Sequence, residues 1–132
     1  GGWEGQNMSD IRVMLIDDDI EFLEETREMF EEAGYEMRTS STVDGAQEKI
    51  ADFSPDVLLL DMKMNGNGKK LTSTLRENES TRKIPVVIVS AYMDEESEKR
   101  LRGELEVDDI LEKPVNPLDL IAAVERLTDG HR

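Results

Sequence analysis

The feature that most constrains this chain is a run of four apolar residues, Val57-Leu58-Leu59-Leu60, which follows Ser54-Pro55-Asp56 and stops on a carboxylate, Asp61. Such a run is too short for a helix. Having no polar alternation, it suits a strand buried on both faces, as in the middle of a parallel sheet. A parallel sheet requires crossover connections, usually helical. It also places ligands and chemistry at the carboxyl ends of its strands, so Asp61 stands at a functional address. Taken alone, Asp61 serves equally well as a turn residue.

The rest of the chain supplies the partners of that strand. Ile11 to Ile16 is a second short apolar strand and ends in Asp17-Asp18-Asp19. A helix is predicted from about Ile20 to Ala33, with Phe22, Leu23, Thr26, Met29, Phe30 and Ala33 on one side, glutamates on the other and Gly34 as its stop. Tyr35 to Ser40 alternates as an edge strand does. A second helix is predicted from about Val43 to Phe53 with Thr42 as its cap. After Asp61, the loop Asn65-Gly66-Asn67-Gly68 leads into a helix whose inner face carries Leu71 and Leu75; it lacks the spacing of a phosphate-binding loop. Ile84 to Val89 is another doubly buried strand and ends on Ser90. The helix from about Asp94 to Leu105 has only Leu101 and Leu105 as apolar anchors. Ile110-Leu111 forms a last short strand, ending at Glu112-Lys113-Pro114. A closing helix, capped by Asn116 with Pro117 in its first turn, rests on Leu118, Ile121, Ala122 and Val124.

Strands and helices therefore alternate, which predicts an α/β fold: a doubly wound, five-stranded parallel sheet with helices on both faces. Asp17 and Asp18, Asp61, Ser90 and Lys113 each close a different strand. In a flavodoxin-like order 2-1-3-4-5, these ends converge on one crevice at the topological switch point.

Composition narrows the chemistry. A chain of 132 residues holds one core, and its net charge of −15 argues against gripping nucleic acid through these residues. There is no cysteine, and the only histidine is His131, which leaves carboxylates, hydroxyls and lysines to act. The absence of a membrane-length apolar run, and of a secretory signal before the first strand, fits a cytoplasmic protein. Residues 1–7, including Trp3, are glycine-rich and patternless and read as an added leader; residues 8–132 read as the domain.

Leu15-Ile16-Asp17-Asp18-Asp19, Pro55 through Met64, Pro85 through Ala91 and Asp108 through Pro114 together resemble the receiver domain of two-component response regulators, from about Ile11 to Leu127. The resemblance implies a phosphoacceptor, not a conventional enzyme. Asp61 would take a phosphoryl group from a sensor histidine kinase or a phosphotransfer protein. Asp18, Asp61 and the main-chain carbonyl of Lys63 would bind Mg²⁺ or Mn²⁺, with Asp17 reaching it mainly through water. Ser90 and Lys113 would contact the phosphoryl oxygens, and a cis peptide would join Lys113 to Pro114. The consequence would be altered binding to an output domain or downstream protein, with homodimerisation on phosphorylation as one form.

The chain departs from the family pattern in places. Asn65 follows Met64 where proline is usual, and the loop beyond is about one residue shorter. Ile110 replaces the aromatic switch residue, and Glu106-Val107 replaces Gly-Ala. Lys63 and Tyr92 occupy positions that tune phosphoryl lifetime, and both are large. Two other functions compete: an adaptor of receiver shape that works without phosphorylation, and a small Mg²⁺-dependent aspartyl phosphatase of the haloacid-dehalogenase type. The second expects an acid where this chain has Lys63, and a substrate cap.

Overall fold

The computed structural model describes residues 11–64 and 67–128; Trp3, Asn65-Gly66 and His131 lie outside the described residues. The elements are β1 (Arg12–Ile16), α1 (Ile20–Glu32), β2 (Glu36–Ser40), α2 (Ala46–Phe53), β3 (Val57–Asp61), α3 (Gly68–Glu77), β4 (Val86–Ser90), α4 (Glu95–Gly103), β5 (Asp109–Glu112) and α5 (Pro117–Thr128). All the strand pairings are parallel and the order is β2-β1-β3-β4-β5, as expected.

The unbroken apolar run of β3 is explained by period-two alternation between two covered faces. Leu58 and Leu60 join Met14, Ile16, Ile88, Ile50, Leu75 and Leu101 on the side of α2, α3 and α4. Val57 and Leu59 join Val13, Leu15, Val89, Phe30, Leu120 and Val124 on the side of α1 and α5. Every residue of β3 and β4 is buried. Edge strand β2 instead alternates, with Met37 and Ser40 buried and Glu36 and Arg38 exposed.

Helix α1 starts where Asp19 accepts a hydrogen bond from the backbone N–H of Phe22 at 3.2 Å. It ends at Gly34, whose φ of 98° lets Tyr35 N–H reach back to the carbonyl of Phe30. Thr26 and Phe30 are buried as expected, but Ala33 is exposed. Helix α2 begins three residues later than its apolar spacing implies. Gly45 adopts the left-handed conformation at its N-cap, and the Thr42 hydroxyl accepts from Asp44 N–H in a local turn. In α5, Asn116 does cap, accepting from Leu118 N–H at 2.9 Å. The buried face, however, is Leu120, Ala123, Val124 and Thr128, with Ile121 partly buried, while Leu118 and Ala122 are exposed.

Helix α4 ends at Gly103, two residues short of the expected Leu105, and is anchored by Leu101 alone; Leu105, in the connection that follows, packs against the same cluster from partial exposure. The α4–β5 connection turns at Glu106, with φ 51° where the family's glycine would fit without strain. Arg76 of α3 holds this turn. Its guanidinium donates to the carbonyls of Leu105 (2.8 Å), Glu106 (3.1 Å), Ile84 (2.8 Å) and Arg82 (3.0 Å). That arginine joins two loops and fixes the approach to β5.

Candidate functional site

The sheet register assembles the site. Ile16 pairs with Leu60, so the residues that follow them, Asp17 and Asp61, emerge side by side at the carboxyl edge. Asp61 pairs with Val89, and Ser90 with Glu112, which brings Ser90 and then Lys113 to the same edge. Lys113 N–H donates to the carbonyl of Ser90 at 2.8 Å, and the peptide from Lys113 to Pro114 is cis.

Asp17 and Asp61 are buried, whereas Asp18 is exposed. One carboxylate oxygen from each of the three lies within 4.8 Å of the others. Asp17 Oδ1 accepts from Asp19 N–H at 2.9 Å. Its Oδ2 lies 2.7 Å from Lys113 Nζ but outside hydrogen-bonding angles, so this buried oxygen pairs with a charge and has no hydrogen-bond partner. Asp61 Oδ1 accepts from Lys63 N–H at 3.1 Å, and Oδ2 lies 3.9 Å from Lys113 Nζ. Burial raises the pKa of Asp61 above the ordinary carboxylate value. The hydrogen bond from Lys63 N–H opposes that, the Asp17 carboxylate adds to it, Lys113 opposes and Asp18 adds.

A buried carboxylate oxygen without a hydrogen bond, beside two further carboxylates, is what a hard, oxygen-seeking divalent cation would satisfy, so these residues fit such an ion. The Asp17-Asp18-Asp19 run thus divides its labour: Asp19 caps the helix, while Asp17 and Asp18 line the pocket.

The other expected positions are placed as follows. Ser90 is buried, and its hydroxyl donates to the carbonyl of Tyr92 at 3.0 Å instead of meeting Asp61. Lys63 and the exposed Tyr92 line one cleft of about 610 Å³ with Asp18, Met62, Lys69 and Met93. Ile110 is partly buried against the α2–α4 side of the core.

Sequence reasoning overlooked two contributors. Gly68 lies so close behind the end of β3 that a Cβ there would sit 2.4 Å from the Met62 carbonyl oxygen and 2.5 Å from that of Asp61. Its membership of an Asn-Gly turn was the only signal. Phe22, assigned simply to the inner face of α1, has its ring centroid 4.9 Å from Lys113 Nζ. Nothing in helical spacing signals that contact.

Fold and site together define a doubly wound α/β module with an acid pocket at its switch point. The chain belongs to the response regulator receiver domain family, whose model matches residues 13–125, and it is a receiver domain of two-component signalling. It is 31% identical over 116 residues to the phosphate regulon transcriptional regulatory protein PhoB of Escherichia coli, covering 86% of this chain and 50% of that protein. It is 33% identical over 118 residues to the transcriptional regulatory protein CpxR of Klebsiella pneumoniae, covering 88% and 48%. The chain therefore spans about half the length of these curated relatives. Among solved structures, a response regulator receiver domain protein from Methanospirillum hungatei superposes with a TM-score of 0.81 at 25% identity, over 92% of this chain and 96% of that one. A sensor protein from Polaromonas gives the same score and identity over 92% and 98%. No described helix is long and apolar enough to cross a membrane.

Proposed function

We propose that Asp61 is the phosphoacceptor of this receiver, with a phosphohistidine of a sensor kinase or phosphotransfer protein as donor. The observation that carries the reading is the placement of Asp61: a buried carboxylate at the end of a central strand, within 4.8 Å of two more carboxylates and 3.9 Å from a lysine ammonium. A carboxylate oxygen of Asp61 attacks phosphorus, the bond from phosphorus to the donor nitrogen breaks, and the imidazole leaves with the electron pair. Incoming phosphoryl charge meets an already anionic pocket, so neutralisation and positioning are what the protein must provide.

Asp17, Asp18, Asp61 and the Lys63 carbonyl would hold Mg²⁺ or Mn²⁺, which when bound offsets the carboxylate repulsion and polarises the phosphoryl oxygens. Lys63 N–H holds Asp61 Oδ1, leaving Oδ2, the oxygen nearer Lys113, to attack. Lys113 supplies a compact charge with three donors, and it can serve Asp17 and a phosphoryl oxygen together. Ser90 reaches the phosphoryl group by rotating its hydroxyl away from the Tyr92 carbonyl, so phosphorylation would be transmitted to the β4–α4 loop and α4. The lightly anchored α4 suits an element that moves. The length of the transcriptional relatives supports coupling to an output segment, and the net charge of −15 supports a readout through protein contacts.

Intact mass after incubation with Mg²⁺ and acetyl phosphate tests the reading. One added phosphoryl group is expected, and none in Asp61→Asn or without the metal. Unreactive protein, under conditions where another receiver reacts, would point to the phosphorylation-independent adaptor.

A further inference from the structure

We infer that Phe22 is a positioning residue for phosphoryl transfer, holding the Lys113 ammonium over its ring so that the lysine stays aimed at Asp17 and Asp61. The inference rests on the role proposed above for Lys113. Lys113 extends from the β5–α5 loop on a flexible stem, and a lysine side chain has much rotamer freedom to lose. Its backbone is tied to Ser90, and its charged end lies against the two carboxylates, at 2.7 and 3.9 Å, and the Phe22 ring, with 4.9 Å from Nζ to the centroid. That distance is within the range of a cation–π attraction.

The ring does something that a third carboxylate could not. It attracts the ammonium without consuming a hydrogen-bond donor, so the N–H groups remain for an incoming phosphoryl oxygen beside the charge pairing with Asp17 and Asp61. It also guards against a competitor. Phe22 and Lys113 line a groove of about 480 Å³ whose other walls include Asp19, Glu21, Glu25 and Pro114. Those acids offer the lysine an alternative resting place on the α1 side, away from the acceptor. The cation–π contact at Phe22 competes with those acids for the ammonium. A leucine would fill similar apolar space but have no quadrupole to hold the charge.

The test is the rate of phosphoryl incorporation from acetyl phosphate with Mg²⁺, followed by intact mass, in wild type, Phe22→Leu, Phe22→Tyr, Lys113→Ala and the double variant Phe22→Leu/Lys113→Ala, each first shown to be folded by its urea midpoint. Phe22→Leu should react roughly three- to tenfold more slowly, the range a cation–π contact supports, and Phe22→Tyr should react as wild type does. In the Lys113→Ala background, Phe22→Leu should have no further effect, because the residue acts through the lysine. A Phe22→Leu variant as fast as wild type would overturn the inference. So would an equal slowing with and without Lys113, which would make Phe22 a packing residue only. Lys113→Ala reacting at the wild-type rate would remove the lysine's role and this inference with it. A slowed Lys113→Ala beside an unaffected Phe22→Leu would overturn the inference alone.

Discussion

Asp61→Asn should stabilise the folded domain at neutral pH in the absence of divalent cations, and the gain follows from the pocket's geometry. Asparagine keeps the shape and retains an acceptor for Lys63 N–H, so the main change is loss of one negative charge. With carboxylate oxygens within 4.8 Å of one another, each pair repels by about 3.5 kcal/mol at an effective dielectric near 20. Lys113, at 3.9 Å, offsets about 4 kcal/mol. Asp61 thus faces two repulsions and one attraction, and exposure of Asp18 screens its share, which leaves a net penalty of about 1 to 3 kcal/mol. For a domain of this size, that corresponds to a rise in Tm of about 4 to 10 °C.

The sign with pH follows from the same residues. Because burial and the neighbouring acids raise the Asp61 pKa, the folded state holds its proton more tightly than the unfolded chain does. This group's contribution therefore falls as pH rises from the unfolded value, near 3.9, through the folded value. The advantage of asparagine should be complete above that window and absent below it. Thermal or urea melts of both proteins at pH 7 with EDTA, at pH 7 with Mg²⁺, and near pH 3.5 measure all of this. Saturating Mg²⁺ should shrink the difference, since the wild-type site binds the ion better than the variant does. A variant no more stable than wild type in EDTA, or a difference indifferent to Mg²⁺, would refute the electrostatic account.

Three further outcomes are expected. Lys63 and Tyr92 line the cleft beside Asp18, so Lys63→Ala or Tyr92→Ala should open the approach for water and speed loss of the phosphoryl group severalfold; unchanged decay of the phosphorylated mass in both would exclude that role. Gly68→Ala would press a Cβ onto two backbone carbonyl oxygens at 2.4 and 2.5 Å. The forced shift should cost about 1 to 3 kcal/mol in a urea melt and slow phosphorylation, because it moves the segment that carries Asp61. Arg76→Leu would strip the Leu105, Glu106, Ile84 and Arg82 carbonyls of their shared donor. A loss of about 2 to 4 kcal/mol should appear in denaturation, with hydrogen exchange fastest in the α4–β5 connection.

Much of the pocket is legible in the linear chain because strands of a parallel sheet announce themselves. Val57 to Leu60 and Val86 to Val89 are apolar on both faces, and only a strand covered on both sides tolerates that, so the polar residues that close them mark the sheet's carboxyl edge. Helix phase is less legible. Helix α5 is apolar at Leu118, Leu120, Ile121, Ala122, Ala123 and Val124, a stripe too wide for periodicity to choose a face. Packing against α1 and β3 buries Leu120, Ala123 and Val124 and leaves Leu118 and Ala122 in water. Similarly, Thr42 suits a cap by type, yet the chain enters α2 through Gly45 because the left-handed turn there is open to glycine.

Which elements form, which residues close the strands and how much negative charge the pocket must manage are written in the linear chain, because apolar runs and their terminators are local properties. Tertiary structure alone decided the rest. Sheet order and register bring Asp17 and Lys113 to 2.7 Å across 96 positions of chain. Burial raises the Asp61 pKa, and packing sets Gly68 behind Asp61 and Phe22 beneath the lysine. Each of these depends on distances between segments remote in sequence, and electrostatic and steric energies are functions of distance in space.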